Sequence, residues 1–283
     1  MRRIGILRGG RENYEMSLWG GGNLIAYLSE VLPHKCRPVD VLVARDGVWH
    51  IAGVPGTAGD LMHRVDMVWN VAHPSFSKTL ADLSIAEIGM PENFSYLEPE
   101  IWKKEAENLG IKIPRRMILS TYQKDFDGDR NRYAVKKAKE VHEKFSPPWQ
   151  VRSLIPSHMG VHVASTFNEL VDAIEDGVSH EESIQVEELI PGKSVEAHTL
   201  SGYRGEKVYV FPGEVNDIAK KLHEHLHPRH YLHSNFIVHP KRGMFLSDLN
   251  FVPDLRAGSS LQKLCAQIGT KSHEIVEHML DLG

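Results

Sequence analysis

The sequence predicts an α/β protein in which an N-terminal parallel sheet is followed by two mixed α+β lobes. Two patterns carry that expectation. Near the N-terminus, short β-rich runs alternate with a helical period, and parallel strands are what helical crossovers connect. Further along, amphipathic helices lie between pairs of β-rich runs, the pattern of α+β units. At 283 residues the chain exceeds the usual size of a single hydrophobic core, so more than one domain is expected.

Each element follows from local spacing. Ile4–Leu7 is an apolar strand closed by Arg8-Gly9-Gly10; Met16, Leu18, Leu24, Ile25 and Leu28 then recur at helical spacing up to Pro33. Val39–Ala44 reads as a second strand, DGVWHIAGV as a hairpin, and Met67–Ala72 as a third strand. Ala81–Ile88 reads as a helix ending at Gly89, with a loop from Met90 to Tyr96. Glu98–Leu109 is an amphipathic helix closed by Gly110, followed by the strand IKIPRRMIL, a polar DFDGD loop and a basic helix from Arg132 to Phe145. WQVRSLI and SIQVEELI flank a helix over Phe167–Glu175; VEAHTL, KVYVF, NFIVHP and MFLSDLNFV supply further strands before a last helix from Ser259 onward. These boundaries divide the chain into residues 1–96, 97–193 and 194–283.

Composition removes several function classes. With 33 Lys+Arg against 37 Asp+Glu, the formal charge of −4 offers no excess of positive charge to draw the chain to nucleic acid or anionic lipid. The apolar part of MRRIGILRGG stops at Arg8, and no apolar run of about 18 residues occurs, so neither a signal peptide nor a membrane span is expected. The two cysteines, Cys36 and Cys265, have no CxxC or Cys/His ligand spacing, which fits a reduced, cytoplasmic protein.

Several motifs carry chemistry, each beside a structural alternative. DFDGD lacks the spacing and the terminal Glu of a calcium loop and reads as a solvated turn. His223, His225, His227, His230 and His233 could chelate a transition metal, although their irregular spacing and Pro228 also suit a surface segment. No GxSxG, HExxH or P-loop signature is present. Arg8-Gly9-Gly10 followed by Glu15-Met16-Ser17-Leu18 places free backbone N–H groups at a helix start, where an anionic group could bind. Asp248 and Asn250, two apart, share one face of a strand and could hold Mg²⁺, or form a polar outer edge.

Taken in order, these segments resemble the ATP-grasp superfamily, specifically the D-alanine–D-alanine ligase family, along nearly the whole chain. RIGILRGGRENYEMSLWGGGNLIAYL resembles that family's opening strand, Gly-Gly loop and Glu-x-Ser-Leu helix start; VWNVAHP resembles its Phe-Asn-x-x-His-Gly segment, and ADLSIAEIGMP its Leu-Gly-Ile-Pro ending. HVASTFNELVDAIEDGVSHEESIQVEELIPGKSVEAHTL resembles the grasp domain with its Glu-Glu-hydrophobic hinge, and FLSDLNFVPDLRAGSSLQKLCAQIG the family's ending. The resemblance implies a three-domain ATP-grasp architecture: a substrate-binding α/β domain over 1–96, a central grasp lobe over 97–193 and a C-terminal lobe with a metal site over 194–283. It implies ATP and Mg²⁺ as cofactors, a cytoplasmic carboxylate–amine ligase of peptidoglycan synthesis, and D-alanine or a similar amino acid as substrate, and it admits a homodimer.

Carried over residue by residue, the resemblance implies that Glu15 binds the first substrate's ammonium and His73 sits beside that substrate. Glu187, Glu188 and Leu189 would line the adenine hinge, Asp248 and Asn250 would coordinate Mg²⁺, and Ser260 and Leu261 would hold the second substrate's carboxylate. The chain also departs from the family pattern. The Glu-x-Asn metal pair is here Asp248-Leu249-Asn250, and the Arg-x-Asp strand aligns with His233-Ser234-Asn235, which replaces a fixed cation by a histidine and a carboxylate by an amide. Val151-Arg152-Ser153 stands for Val-Lys-Pro, with Ser157 nearest the phosphate-loop serine; of two basic positions, Pro99 takes the first and Lys103 the second. Ser194 takes the place of a ribose-contacting Glu, with Glu196 close by, and the long closing loop with its tyrosine has no counterpart between Val215 and His233. Three functions are therefore open: a ligase, a degenerate ATP-grasp protein that binds nucleotide or a partner without ligation, and a ligase of altered substrate in which Arg256 meets an anionic group.

Overall fold

A computed structural model describes residues 1–10, 14–73, 75–89, 91, 93–123, 127–153, 161–180 and 183–282. Its contacts group the chain into two compact units, one of Met1–Ile111, Ser194–Phe236 and Ser247–Gly283, the other of Lys112–Lys193 and Ile237–Leu246. Each unit thus joins segments distant in sequence. Among the described residues, no helix is long and apolar enough to cross a membrane.

The first unit opens with β1 (Arg2–Gly9), α1 (Tyr14–Val31), β2 (Cys36–Val43), β3 (Trp49–Ile51), β4 (Val54–Gly56), β5 (Met67–Asn70), α2 (Phe76–Asp82), β6 (Ala86–Ile88) and α3 (Pro99–Asn108). The sheet order is β4-β3-β2-β1-β5-β6. The pairs β1–β2, β1–β5 and β5–β6 are parallel, whereas β3 and β4 add an antiparallel edge, as the alternating runs and the hairpin segment predict. Ile4, Ile6 and Leu7 are fully buried, as expected of a central parallel strand covered on both faces. One face packs Ile4 and Ile6 with Leu24 and Leu28 of α1; the other packs Leu7, Val41, Val68 and Leu80.

The helix expected over Ala81–Ile88 is not formed. The helix α2 ends at Asp82, Ser84 takes a left-handed φ of 55°, and Ala86–Ile88 pairs with Met67–Trp69 as β6. Sheet pairing of the β-branched end outweighs its helical spacing, a case of tertiary contacts overriding local preference.

The C-terminal part contributes β11 (Lys193–Ser201), β12 (Val208–Val210), α6 (Asn216–Leu226), β13 (Tyr231–His239) and β14 (Gly243–Asn250), in sheet order β12-β11-β13-β14. The helix α6 takes in the first four residues of the histidine stretch that spacing left irregular, from His223 to Leu226: Ala219, Leu222, His223 and Leu226 form its buried side. The final helical run is two helices, α7 (Ser260–Gln267) and α8 (Ser272–Leu282). Their Leu261, Cys265, Ile275, Val276 and Met279 join the same core as Ile4, Leu24 and Leu28.

The second unit holds β7 (Arg116–Leu119), α4 (Arg130–Lys144), β8 (Trp149–Ser153), β9 (His162–Ala164), α5 (Phe167–Ser179) and β10 (Ile184–Glu188). They form an antiparallel sheet, β7-β10-β8-β9. Tyr133 and Val141 of α4 and Leu170 and Ile174 of α5 cover Trp149, Val151 and Val186. Two aspartates of the DFDGD segment serve the backbone. Asp127 accepts from Gln123 N at 2.8 Å, and Asp129 caps α4 by accepting from Arg132 N at 2.7 Å, satisfying N–H groups that the helix leaves open.

Candidate functional site

The parallel strands place their carboxyl ends together. Since β1 connects towards β2 on one side and lies beside β5 on the other, the chain reverses its direction of travel across the sheet here, where α/β sheets form a crevice. A cavity of about 250 Å³ lies there, lined by Gly10, Val43, Ala44, Gly47, His73, Ser75 and Phe76. The Gly-Gly turn and His73, read from separate sequence segments, thus meet in one pocket.

Hydrogen bonds hold that turn. Gly9 N donates to Ser17 Oγ at 2.9 Å, and Ser17 Oγ donates to Val71 O at 2.8 Å, tying the β1 exit, the start of α1 and the β5 exit together. His73 Nδ1 lies 2.9 Å from Ser75 Oγ and accepts from Ser75 N at 3.2 Å. Behind the pocket, the buried Glu87 receives Asn70 Nδ2 and Ser77 Oγ, each at 2.8 Å, and burial pushes its carboxyl up despite those bonds. Glu15 stands exposed in the first turn of α1, where Arg45 Nη2 donates to its Oε1 at 2.7 Å. The carboxylate expected to take an ammonium group therefore already has a guanidinium partner.

The C-terminal sheet brings a second group together. Glu196 and His198 are two apart on β11, and His233 lies on the adjacent β13. The His198 and His233 rings stack with centroids 4.4 Å apart and planes 9° from parallel. His198 Nδ1 hydrogen-bonds Tyr231 Oη at 2.5 Å, and its Nε2 lies 3.1 Å from Ser260 Oγ at the start of α7. Burial, with His233 beside it, pushes the His198 imidazole down to about 4. His198 was missed in the sequence, although the two-residue step from Glu196 was the available signal.

Leu261 is buried in the core, and Ser194 is exposed on β11. Lys103 is buried in α3 with its Nζ 5.6 Å from the Trp102 ring centre. Asn235 lies on β13, where its carbonyl accepts from Ser247 Oγ at 3.0 Å. Asp248 and Asn250 are both exposed on β14, and Asn250 Oδ1 accepts from Val252 N at 2.9 Å. Mg²⁺ prefers hard oxygen donors and keeps several waters, so one carboxylate with an amide oxygen that retains a lone pair fits an ion arriving with phosphate.

In the second unit Arg152 is exposed on β8, and Glu187 accepts from Gln185 Nε2 at 2.9 Å on β10. Glu188 is a structural residue first. Its buried carboxylate is gripped by Arg115 Nε at 3.0 Å and Arg242 Nη1 at 2.5 Å. Desolvation pushes its pKa up, but the bonds from Arg115 and Arg242 outweigh it and hold the group at about 2. Glu188 N and Leu189 N donate to the carbonyls of Arg115 and Pro148. Ser157 lies outside the described residues.

No family model matches the sequence, and no curated protein matches it. Solved structures do. A D-alanine–D-alanine ligase from Coxiella burnetii aligns with a TM-score of 0.76 at 15% identity, covering 100% of this chain and 95% of that one. The VanG D-Ala:D-Ser ligase from Enterococcus faecalis aligns at 0.70 with 15% identity, covering 99% of each chain. A Bacillus anthracis D-alanine–D-alanine ligase complexed with ATP aligns at 0.69 with 18% identity, covering 100% of this chain and 96% of that one. Over its whole length, this chain has the fold of the D-alanine–D-alanine ligases.

Proposed function

We propose that this protein is an ATP- and Mg²⁺-dependent carboxylate–amine ligase acting on D-alanine or a related small amino acid. The observation that carries the reading is the full-length likeness to ligases of this class, one of them solved with ATP. A fold alone hosts many activities, so the residues must supply the chemistry.

In the proposed reaction a substrate carboxylate oxygen attacks the γ-phosphorus of ATP and ADP leaves. The amine of a second amino acid then attacks the acyl-phosphate carbonyl, and the tetrahedral adduct expels phosphate as the nitrogen loses its proton. Glu15 holds the first ammonium by exchanging Arg45 for it, with His73 beside that substrate at the strand-end pocket. Arg152, Lys103 and Ser157 serve the phosphates. Backbone groups of Glu187, Glu188 and Leu189 serve the adenine, and Ser194 the ribose. Asp248, Asn250 and Asn235 hold Mg²⁺, which when bound offsets phosphate charge. Ser260 and the Leu261 backbone take the second carboxylate, and His233 serves as the oxyanion donor.

A second reading, nucleotide binding without ligation, is favoured by the Glu15–Arg45 pair and by the neutral Asn235 two residues from His233 on β13. Incubation with ATP, Mg²⁺ and a panel of D- and L-amino acids decides between them. Amino-acid-dependent phosphate release with a dipeptide mass supports the ligase. Nucleotide binding without such release supports the second reading, and absence of nucleotide binding removes both.

A further inference from the structure

We propose that Glu196, His198 and His233 bind one divalent transition-metal ion of the zinc type, at a site separate in chemistry from the Mg²⁺ ligands. Among the described residues, they are the one group of three His, Cys, Asp or Glu side chains whose ligand atoms all lie within 4.8 Å of one another. Strand geometry builds the group without any loop: a two-residue step on β11 puts Glu196 and His198 on one face, and β13 lays His233 alongside.

The two separations from the carboxylate suit a small tetrahedral ion. Glu196 Oε2 lies 3.3 Å from His233 Nε2 and 3.6 Å from His198 Nε2. A tetrahedral ion with bonds of roughly 2.0–2.2 Å has ligand–ligand edges of roughly 3.3–3.6 Å. His233 Nε2 is buried, and its contact with the Glu196 carboxylate is not aligned as a hydrogen bond. An ion that takes its lone pair would replace this misaligned contact with a directed bond.

The surroundings resemble the outer shell of a metal site. The Tyr231 hydroxyl at His198 Nδ1 fixes that ring through the nitrogen that would not face the ion. Ser260 Oγ, 3.1 Å from His198 Nε2, is the partner that this nitrogen would exchange for the ion, and the fourth tetrahedral position is left to water or a substrate carboxylate. Two imidazoles and one carboxylate select borderline divalent ions, whereas Mg²⁺ and Ca²⁺ prefer all-oxygen sets. The nearly parallel rings must tilt apart from 9° for both Nε2 lone pairs to converge.

An ion here would take His233 and displace Ser260 from His198, residues that the ligase reading also uses, but the test needs neither nucleotide nor amino acid, so metal binding is read separately from ligation. Untagged, chelator-stripped full-length protein is titrated with Co²⁺ and then Zn²⁺, following visible absorption and bound metal by dialysis. One equivalent of Co²⁺ with the strong bands of a tetrahedral ion, displaced by one Zn²⁺, is expected. Glu196→Gln and His233→Gln should each weaken binding at least tenfold; both preserve side-chain size, and circular dichroism confirms their folding. A His225→Gln/His227→Gln double variant should bind as the wild type does. Substoichiometric binding, affinity unchanged in Glu196→Gln and His233→Gln, or binding lost in the double variant would each overturn the proposal.

Discussion

Arg242 donates through Nη1 to Glu188 Oε1 at 2.5 Å, joining residues 54 apart in sequence within the second unit. Arg115 completes the grip, and the carboxylate itself is only 7% exposed. Removing the charge leaves two guanidinium groups facing a neutral amide in a partly desolvated place. Because both arginines remain about half in water, the cost is smaller than for a fully buried pair. Glu188→Gln should therefore lower stability by about 2 kcal/mol at pH 7. With the folded pKa near 2 and the ordinary carboxyl value of 4.5, the contribution is complete above 4.5 and disappears as pH falls towards 2. Urea unfolding at pH 7 and pH 3 measures it, and equal losses at both would refute the charge-based account.

The buried histidines set a different window. Burial, and then His227, holds His223 at about 4; burial, and then Arg229 and His278, holds His230 at about 4. Above about 6.5 both folded and unfolded chains carry these rings neutral, so nothing is gained or lost. As pH falls from there, the unfolded chain takes up protons that the folded chain refuses until about 4. Stability should drop across that interval by on the order of 3 kcal/mol per ring. His223 bonds Thr199 Oγ1 at 2.7 Å and Ser201 Oγ at 2.9 Å, so His223→Gln should start less stable at pH 7 yet lose less between pH 7 and 4.5. Chemical unfolding of both proteins at the two pH values measures this; an unchanged slope in the variant would mean that His223 does not carry the pH dependence.

Much of the fold was legible in the sequence, and the reasons are local. Apolar runs such as Ile4–Leu7 and the turn Arg8-Gly9-Gly10 encode β1 and its exit with short-range signals, and the hairpin DGVWHIAGV does the same for β3 and β4. The strand β6 was not legible, because its partner β5 lies 19 residues upstream and pairing decided what spacing alone read as helix. The partners of Glu188 were hidden for the same reason: a Glu-Glu pair before an apolar residue looks like a hinge, and nothing near it reveals Arg242. The Glu196–His198–His233 group depends on which strands become neighbours, so the histidine-rich segment drew attention while its relevant partner, His198, lay elsewhere.

The exit of β1 should tolerate no side chain. Gly9 has φ of 89°, and a Cβ there would lie 2.2 Å from Val43 O, against a backbone that also accepts Gly10 N at 2.7 Å. Conformational strain and the clash act together, so Gly9→Ala should cost about 3 kcal/mol or more. Gly47, with φ of 90° and open space around it, isolates the first term, and Gly47→Ala should cost about 1 kcal/mol. Urea midpoints compare the two directly; similar losses would mean that the contact with β2 does not constrain this turn.

Asp248 supplies the last expectation, which concerns the nucleotide site of the proposed ligase. Of Asn235, Asp248 and Asn250 it alone carries a charge, and it is exposed on β14 on the same face as Asn250. A hard divalent ion that keeps its waters and phosphate oxygens still depends on one anionic protein ligand for most of its attraction to the chain. Asp248→Ala should therefore weaken Mg²⁺-dependent ATP binding at least tenfold, about 1.4 kcal/mol, while leaving binding in EDTA nearly unchanged. Because the side chain is exposed, folding should be little affected, and calorimetry with and without Mg²⁺ separates the two effects. Equal affinity of wild type and variant in Mg²⁺ would move the ion away from this strand.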